Sequence, residues 1–163
     1  MTSPLFYWTL LALCSLYVFW RGGSPERVGM AVIVIGSILT TASSTANLGI
    51  RFHSIEMGMF IVDVVVLIAF VALALAADRY WPLWVAGLQL IGVATHTLML
   101  TSPDMVPWVY AVTQSLWGYP ILLAIVVGTA RHRKRMVRRA VDPSWTRSSA
   151  RLGRAMLRLG PKR

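Results

Sequence analysis

The chain has 163 residues, of which 56% are hydrophobic and only 13% charged. A soluble domain carries roughly 25% charged residues, so composition points to a membrane protein. The net charge of +10 belongs to one end, since twelve of the sixteen Lys and Arg follow Ala130. The single cysteine, Cys14, excludes an intrachain disulfide and a thiolate metal cage.

A membrane-spanning helix needs about 20 mostly apolar residues, because the hydrocarbon core is about 30 Å thick and a helix rises about 1.5 Å per residue. Five stretches qualify: 5–20, 28–48, 58–77, 82–100 and 106–130. The predicted fold is therefore all-α, a polytopic membrane helix bundle over 1–130, followed by a basic tail over 131–163.

The first span is read as a retained helix. Met1-Thr2-Ser3-Pro4 carries no positive charge, and Leu13 stands where a lipoprotein cleavage site before Cys14 wants a small residue. The segment from Arg21 to Arg27 reads as a turn. Its glycines follow no strand and meet no P-loop lysine, so it is not a phosphate site. Asp78 and Arg79 fall on the same side of the membrane and make at most a weak surface pair with Arg27 or Glu26.

The second span changes character halfway. Two ladders of small residues run through it at spacing four, one of Gly36, Thr40 and Ser44, the other of Ser37, Thr41, Thr45 and Gly49. Small residues at that spacing suit close helix packing. Hydroxyls almost all round this half also suit the wall of a wet cavity.

The third span contains one charge, Asp63, about 7–8 Å inside its end at 1.5 Å per residue. A carboxylate in hydrocarbon costs about 2.5–3.5 kcal/mol on insertion scales, so it must face the bundle, a partner or water, or else be protonated. If this helix starts before residue 58, His53, Glu56, Phe60 and Asp63 share one face. In the fourth span Gln89 reads as a helix–helix hydrogen bond, and His96 lies about 6 Å from the end. In the fifth, Pro120 within Trp117-Gly118-Tyr119-Pro120 predicts a kink, static or hinged. Gln114 lies about 10 Å in.

Orientation follows from the basic residues. The tail, Arg21, Arg27 and Arg79 share one side, fifteen basic residues against Arg51 alone on the other. The N-terminus is expected outside and the C-terminus inside. In this topology Asp63, His96, Gln114, Asn47, Ser43 and Ser44 fall at one depth in the outer leaflet. No comparable layer is expected in the inner leaflet. Asp63 and His96 are the natural pair, as a register-fixing hydrogen bond or as a proton relay. A metal set of His53, Glu56, Asp63 and His96 is the third reading, without any compact motif to support it.

The tail opens with Arg131, Arg133, Lys134, Arg135, Arg138 and Arg139, a cluster drawn to anionic headgroups. Asp142 and Pro143 then start a predicted amphipathic helix over 143–160. Trp145 lies on its apolar stripe; Arg147, Arg151, Arg154 and Arg158 lie on the opposite one. That is the form of a helix lying on the inner leaflet. With no folded reader domain, nucleic acid is the weakest of the tail's partners.

The stretches WRGGSPERVG and ADRYWPLWVAGLQLIGVATH resemble small, functionally uncharacterised multi-pass inner-membrane proteins of proteobacteria. The likeness covers most of the chain up to about Arg131. It implies a bacterial inner membrane and supplies no activity, cofactor or site residue. No nucleophile, nucleotide or compact metal motif is present, so no catalytic residue and no cofactor is assigned. The leading expectation is a non-enzymatic accessory, assembly or scaffold subunit of an inner-membrane complex, with another membrane subunit as partner. The alternatives are a small proton-linked transporter or channel using Asp63 and His96, and a metal-binding membrane protein or enzyme at the outer face.

Overall fold

A computed structural model describes residues 4–46, 52–101 and 107–139, with side chains over 5–43, 57–98 and 117–137. The predicted helix at 143–160, with Trp145 and its arginines, lies outside the described residues. So do the side chains of Ser44, Asn47, His53, Glu56, Gln114, Arg138 and Arg139.

The described residues form five α-helices: α1 Pro4–Arg21, α2 Ser24–Ala46, α3 Phe52–Ala76, α4 Trp81–Thr101 and α5 Pro107–Arg139. Proline stands at the first or second position of α1, α2, α4 and α5. Its fixed φ suits a helix start, where the missing amide proton has no partner to lose.

Each helix packs on the next, and α1 closes the ring against α5; α2 also meets α5. Tyr7 of α1 bonds Ser37 of α2, and Asp63 of α3 bonds His96 of α4, so these successive helices are antiparallel. One end of the bundle holds the Gly22–Gly23 turn, the 77–80 turn and the last turns of α5; it is called the turn end below. The core runs through Val18, Met30, Phe70, Val85, Leu122 and Ile125, each almost wholly enclosed.

The outside of the bundle is apolar as well. On α3, Ile61, Val65, Ile68 and Leu75 are 55–76% exposed. They lie opposite a buried stripe of Val66, Phe70, Leu73 and Ala77. A helix that is apolar all round suits an apolar surrounding rather than water. Among the described residues two helices are long and apolar enough to cross a membrane, over Ser24–Ser43 and Met57–Ala76, and α1 is apolar over the shorter run Leu5–Arg21.

Three boundaries differ from the sequence reading, each for a physical reason. α2 begins at Ser24 instead of 28, because the Arg27 N–H donates to the Gly23 carbonyl at 3.0 Å and wraps Pro25 and Glu26 into the first turn. α3 begins at Phe52, so His53 and Glu56 belong to the same helix as Asp63. α5 continues nine residues past Ala130, because loss of hydropathy marks a change of solvent and not a helix end. Arg and Lys are good helix formers, and the run RHRKRMVRR contains no breaker.

Candidate functional site

Asp63 lies on the buried stripe of α3, three residues before Val66 and seven before Phe70. The stripe of α4 that faces it reads Val85, Gln89, Gly92, His96, all buried. This register brings three polar side chains together. His96 Nε2 is 2.9 Å from Asp63 Oδ2. The Gln89 side-chain amide donates to Asp63 Oδ1 at 3.0 Å. It also approaches the Asp63 main-chain carbonyl at 3.4 Å. Both carboxylate oxygens thus have a partner, the condition a charge needs inside an apolar bundle. His96 is 2% exposed, with the Phe60 ring edge-on at 6.3 Å.

The Asp63 carboxylate is not sealed in. It lines a cleft of about 450 Å³ to which all five helices contribute. Gly92 sits between Gln89 and His96, and a Cβ there would meet nothing within 4 Å. Its missing side chain leaves open space beside the carboxylate. α2 presents its small-polar half, with Gly36, Ser37, Thr40 and Thr41 in the wall. The Thr41 hydroxyl donates back to the Ser37 carbonyl at 2.9 Å. Gly36 packs so closely on Val66 that a Cβ would come within 2.9 Å of it. The described members of the two ladders therefore serve close packing and the cleft wall together.

The opposite wall is aromatic, made by Tyr7 and Trp8 of α1 and Trp117 and Tyr119 of α5. The Tyr7 and Ser37 hydroxyls are 2.9 Å apart. Tyr7 and Tyr119 meet edge-on at 6.1 Å. Gly118 allows this approach, since a Cβ would stand 3.0 Å from the Tyr7 ring. From the sequence, Trp117–Tyr119 stand at a helix break and nothing links them to Tyr7 and Trp8. Their common wall needed knowledge that α1 closes onto α5, which no local pattern carries.

Of the other predicted members, Ser43 stands across from Gly58, whose Cβ would be 3.4 Å from its own. The hydroxyls in the cleft are instead those of Ser37, Thr40 and Thr41. Among the described residues no three of His, Cys, Asp and Glu lie close enough together to hold a metal ion.

A second polar cluster, at the turn end, escaped the sequence reading. Glu26 is fully buried, with Arg79 Nε 3.4 Å from its Oε1. The Trp81 indole N–H donates to the same oxygen at 3.2 Å. Arg79 Nη2 is 3.5 Å from His132 Nδ1. A guanidinium only donates, so Nδ1 acts as acceptor in this contact. The expected weak surface pair of Arg79 with Glu26 is thus a buried one. Trp81 is the reason. It packs edge-on to Phe70 at 6.4 Å. It lies between two helices where a Gly29 Cβ would collide with its ring and a Gly128 Cβ would come within 2.7 Å of Cδ1. The signal available in the sequence was the pair of glycines, one on each helix flanking that tryptophan.

Compared with family models, with curated proteins and with solved structures, the chain matches none. The site therefore has to be read from its own geometry.

Proposed function

We propose that this chain is a five-span membrane protein that admits a small polar solute into the Asp63 cleft and links its binding to a proton held by the Asp63–His96 pair. The observation that carries this reading is that Asp63, bonded to His96 at 2.9 Å, also lines a cleft of about 450 Å³. That volume lies in the range of small-molecule sites. A carboxylate that served only to fix helix register would have no need of an opening. The accessory-subunit reading rested on missing motifs, and this opening favours solute binding over it.

Five spans, with the N-terminus outside and the C-terminus in the cytoplasm of a bacterial cell, agree with helix lengths of 18 to 33 residues. They agree also with the large apolar side chains exposed on every helix, among them Leu13, Ile35, Ile68, Leu90 and Leu123. Alternate passage then puts the Asp63 cleft toward the outer face and the Glu26–Arg79 cluster at the cytoplasmic face. The exposed Arg131, Arg133 and Lys134 on the last turns of α5 suit anionic headgroups there.

Two measurements test the reading. Thr40→Cys in a Cys14→Ala background should react with a small water-soluble thiosulfonate added outside sealed cells. Proteoliposomes should show solute-driven proton movement that Asp63→Asn removes without lowering yield. A thiol at position 40 that never reacts, or proton movement unchanged in Asp63→Asn, overturns the proposal. Reporter fusions after Arg51 and at the C-terminus check the topology, and an external C-terminus rules it out.

A further inference from the structure

We infer that the ligand of the cleft is a small organic ammonium ion, taken up in exchange for one proton from the Asp63–His96 pair; this rests on the solute-binding reading above. The argument is one of charge and of wall chemistry. Among the described residues that line the cleft, Asp63 is the one acid and there is no Lys or Arg. The described basic side chains of Arg21, Arg27, Arg79 and Arg131 belong to the turn end. An anion entering the cleft would meet a carboxylate and no counter-charge. A neutral solute would find hydroxyls, but it would leave the carboxylate unused.

The aromatic wall narrows the class. Tyr7, Trp8, Trp117 and Tyr119 line the same cleft as the acid. Aromatic faces attract cations through their quadrupole, most strongly when water is excluded, and an alkylated ammonium loses little hydration on entering. A bare metal ion would demand several oxygen ligands at short range, whereas this wall offers one carboxylate and mostly apolar surface. Ring surface with a single acid suits a diffuse charge on carbon-covered nitrogen.

Exchange follows from charge balance. Among the described residues, the titratable groups facing the cleft are Asp63 from α3, Tyr7 from α1 and Tyr119 from α5. His96 of α4 stands behind Asp63 at 2.9 Å, and the described lining of α2 is Ile33, Gly36 and three hydroxyl residues. A cation entering beside Asp63 raises the local charge by one. When the pair releases one proton to water as the cation enters, the charge in the cleft is unchanged and no bond other than that to the proton is broken.

The test uses three compounds of one shape on the purified full chain: choline, the uncharged 3,3-dimethyl-1-butanol and the anionic 3,3-dimethylbutanoate. Binding is read by calorimetry and by tryptophan fluorescence. Choline should bind about tenfold or more tighter than the alcohol, the size expected of a desolvated cation on aromatic faces. In weak buffer at a pH where the pair holds its exchangeable proton, choline binding should release up to one proton per chain. Asp63→Asn should abolish both the preference and the release; should that variant not fold, proton release by the unmodified protein decides. Equal binding of choline and the alcohol, or tighter binding of the anion, overturns the cation assignment and leaves solute binding standing. Binding of none of the three, together with an unreactive thiol at position 40, removes the solute-binding reading itself.

Discussion

The two polar clusters contain similar groups and differ in what surrounds them. Each has a carboxylate drawn into the bundle, a nitrogen partner from another part of the chain and a neutral N–H donor: Asp63 with His96 and Gln89, Glu26 with Arg79 and Trp81. At the turn end Trp81 lies against Gly29 and Gly128, and Glu26 is fully buried. Around Asp63 the glycine faces an opening. The difference teaches that a carboxylate inside a bundle is not by itself a functional site. Enclosure makes it a structural tie, and an open side makes it available to a ligand.

Substitutions can break or sharpen that contrast. The largest stability loss is expected for Arg79→Ala, which leaves Glu26 buried without its cation and should cost about 3–5 kcal/mol. Thermal unfolding in detergent reads this, and the double change Glu26→Gln with Arg79→Met should recover most of it. A loss below about 1 kcal/mol would show that the cluster is not the tie described. Next come Gly29→Ala and Gly128→Ala, which force a methyl group against a rigid indole and should each cost about 1–3 kcal/mol. Gly87→Ala is the control. A Cβ there meets nothing within 4 Å, so it should be neutral or stabilising by up to about 1 kcal/mol. Tyr7→Phe removes the hydroxyl contact to Ser37 and should cost about 0.5–1.5 kcal/mol. Apart from the Gly87→Ala control, Asp63→Asn should be the mildest toward unfolding, since an amide can still bond His96 and Gln89, yet it should have the largest effect on ligand binding and proton release. Were Asp63→Asn to unfold the chain as severely as Arg79→Ala, the contrast would collapse.

Much of the candidate site was legible in the sequence. Asp63 and His96 were brought to one depth by counting rises along helices that alternate in direction, and the structure places them in contact. Gln89 was read as a link between helices; its partner turns out to be the same carboxylate. The hydroxyl-rich half of α2 suits close packing or a cavity wall from its sequence; Gly36 packs on Val66, and Thr40 and Thr41 line the cleft. What failed depended on tertiary closure. Glu26 and Arg79 sit beside turns, where a charge is normally solvated, and Trp81 and His132 pack against them from other parts of the chain. His132 was absorbed into a run of arginines because a charge run reads as a solvated tail, while the helix beneath it carries one face back onto the bundle. The apolar span read for α5 ends at 130, whereas the helix itself continues to Arg139, since apolarity does not measure helical extent.

α5 is one helix of 33 residues that bears Trp117 and Tyr119 in the cleft wall and, more than three turns further on, His132 against Arg79. A continuous rod cannot turn at one end alone. A torque applied to its cationic end would be delivered to the aromatic rings at the far end, less whatever is absorbed at Pro120, where the backbone lacks a donor.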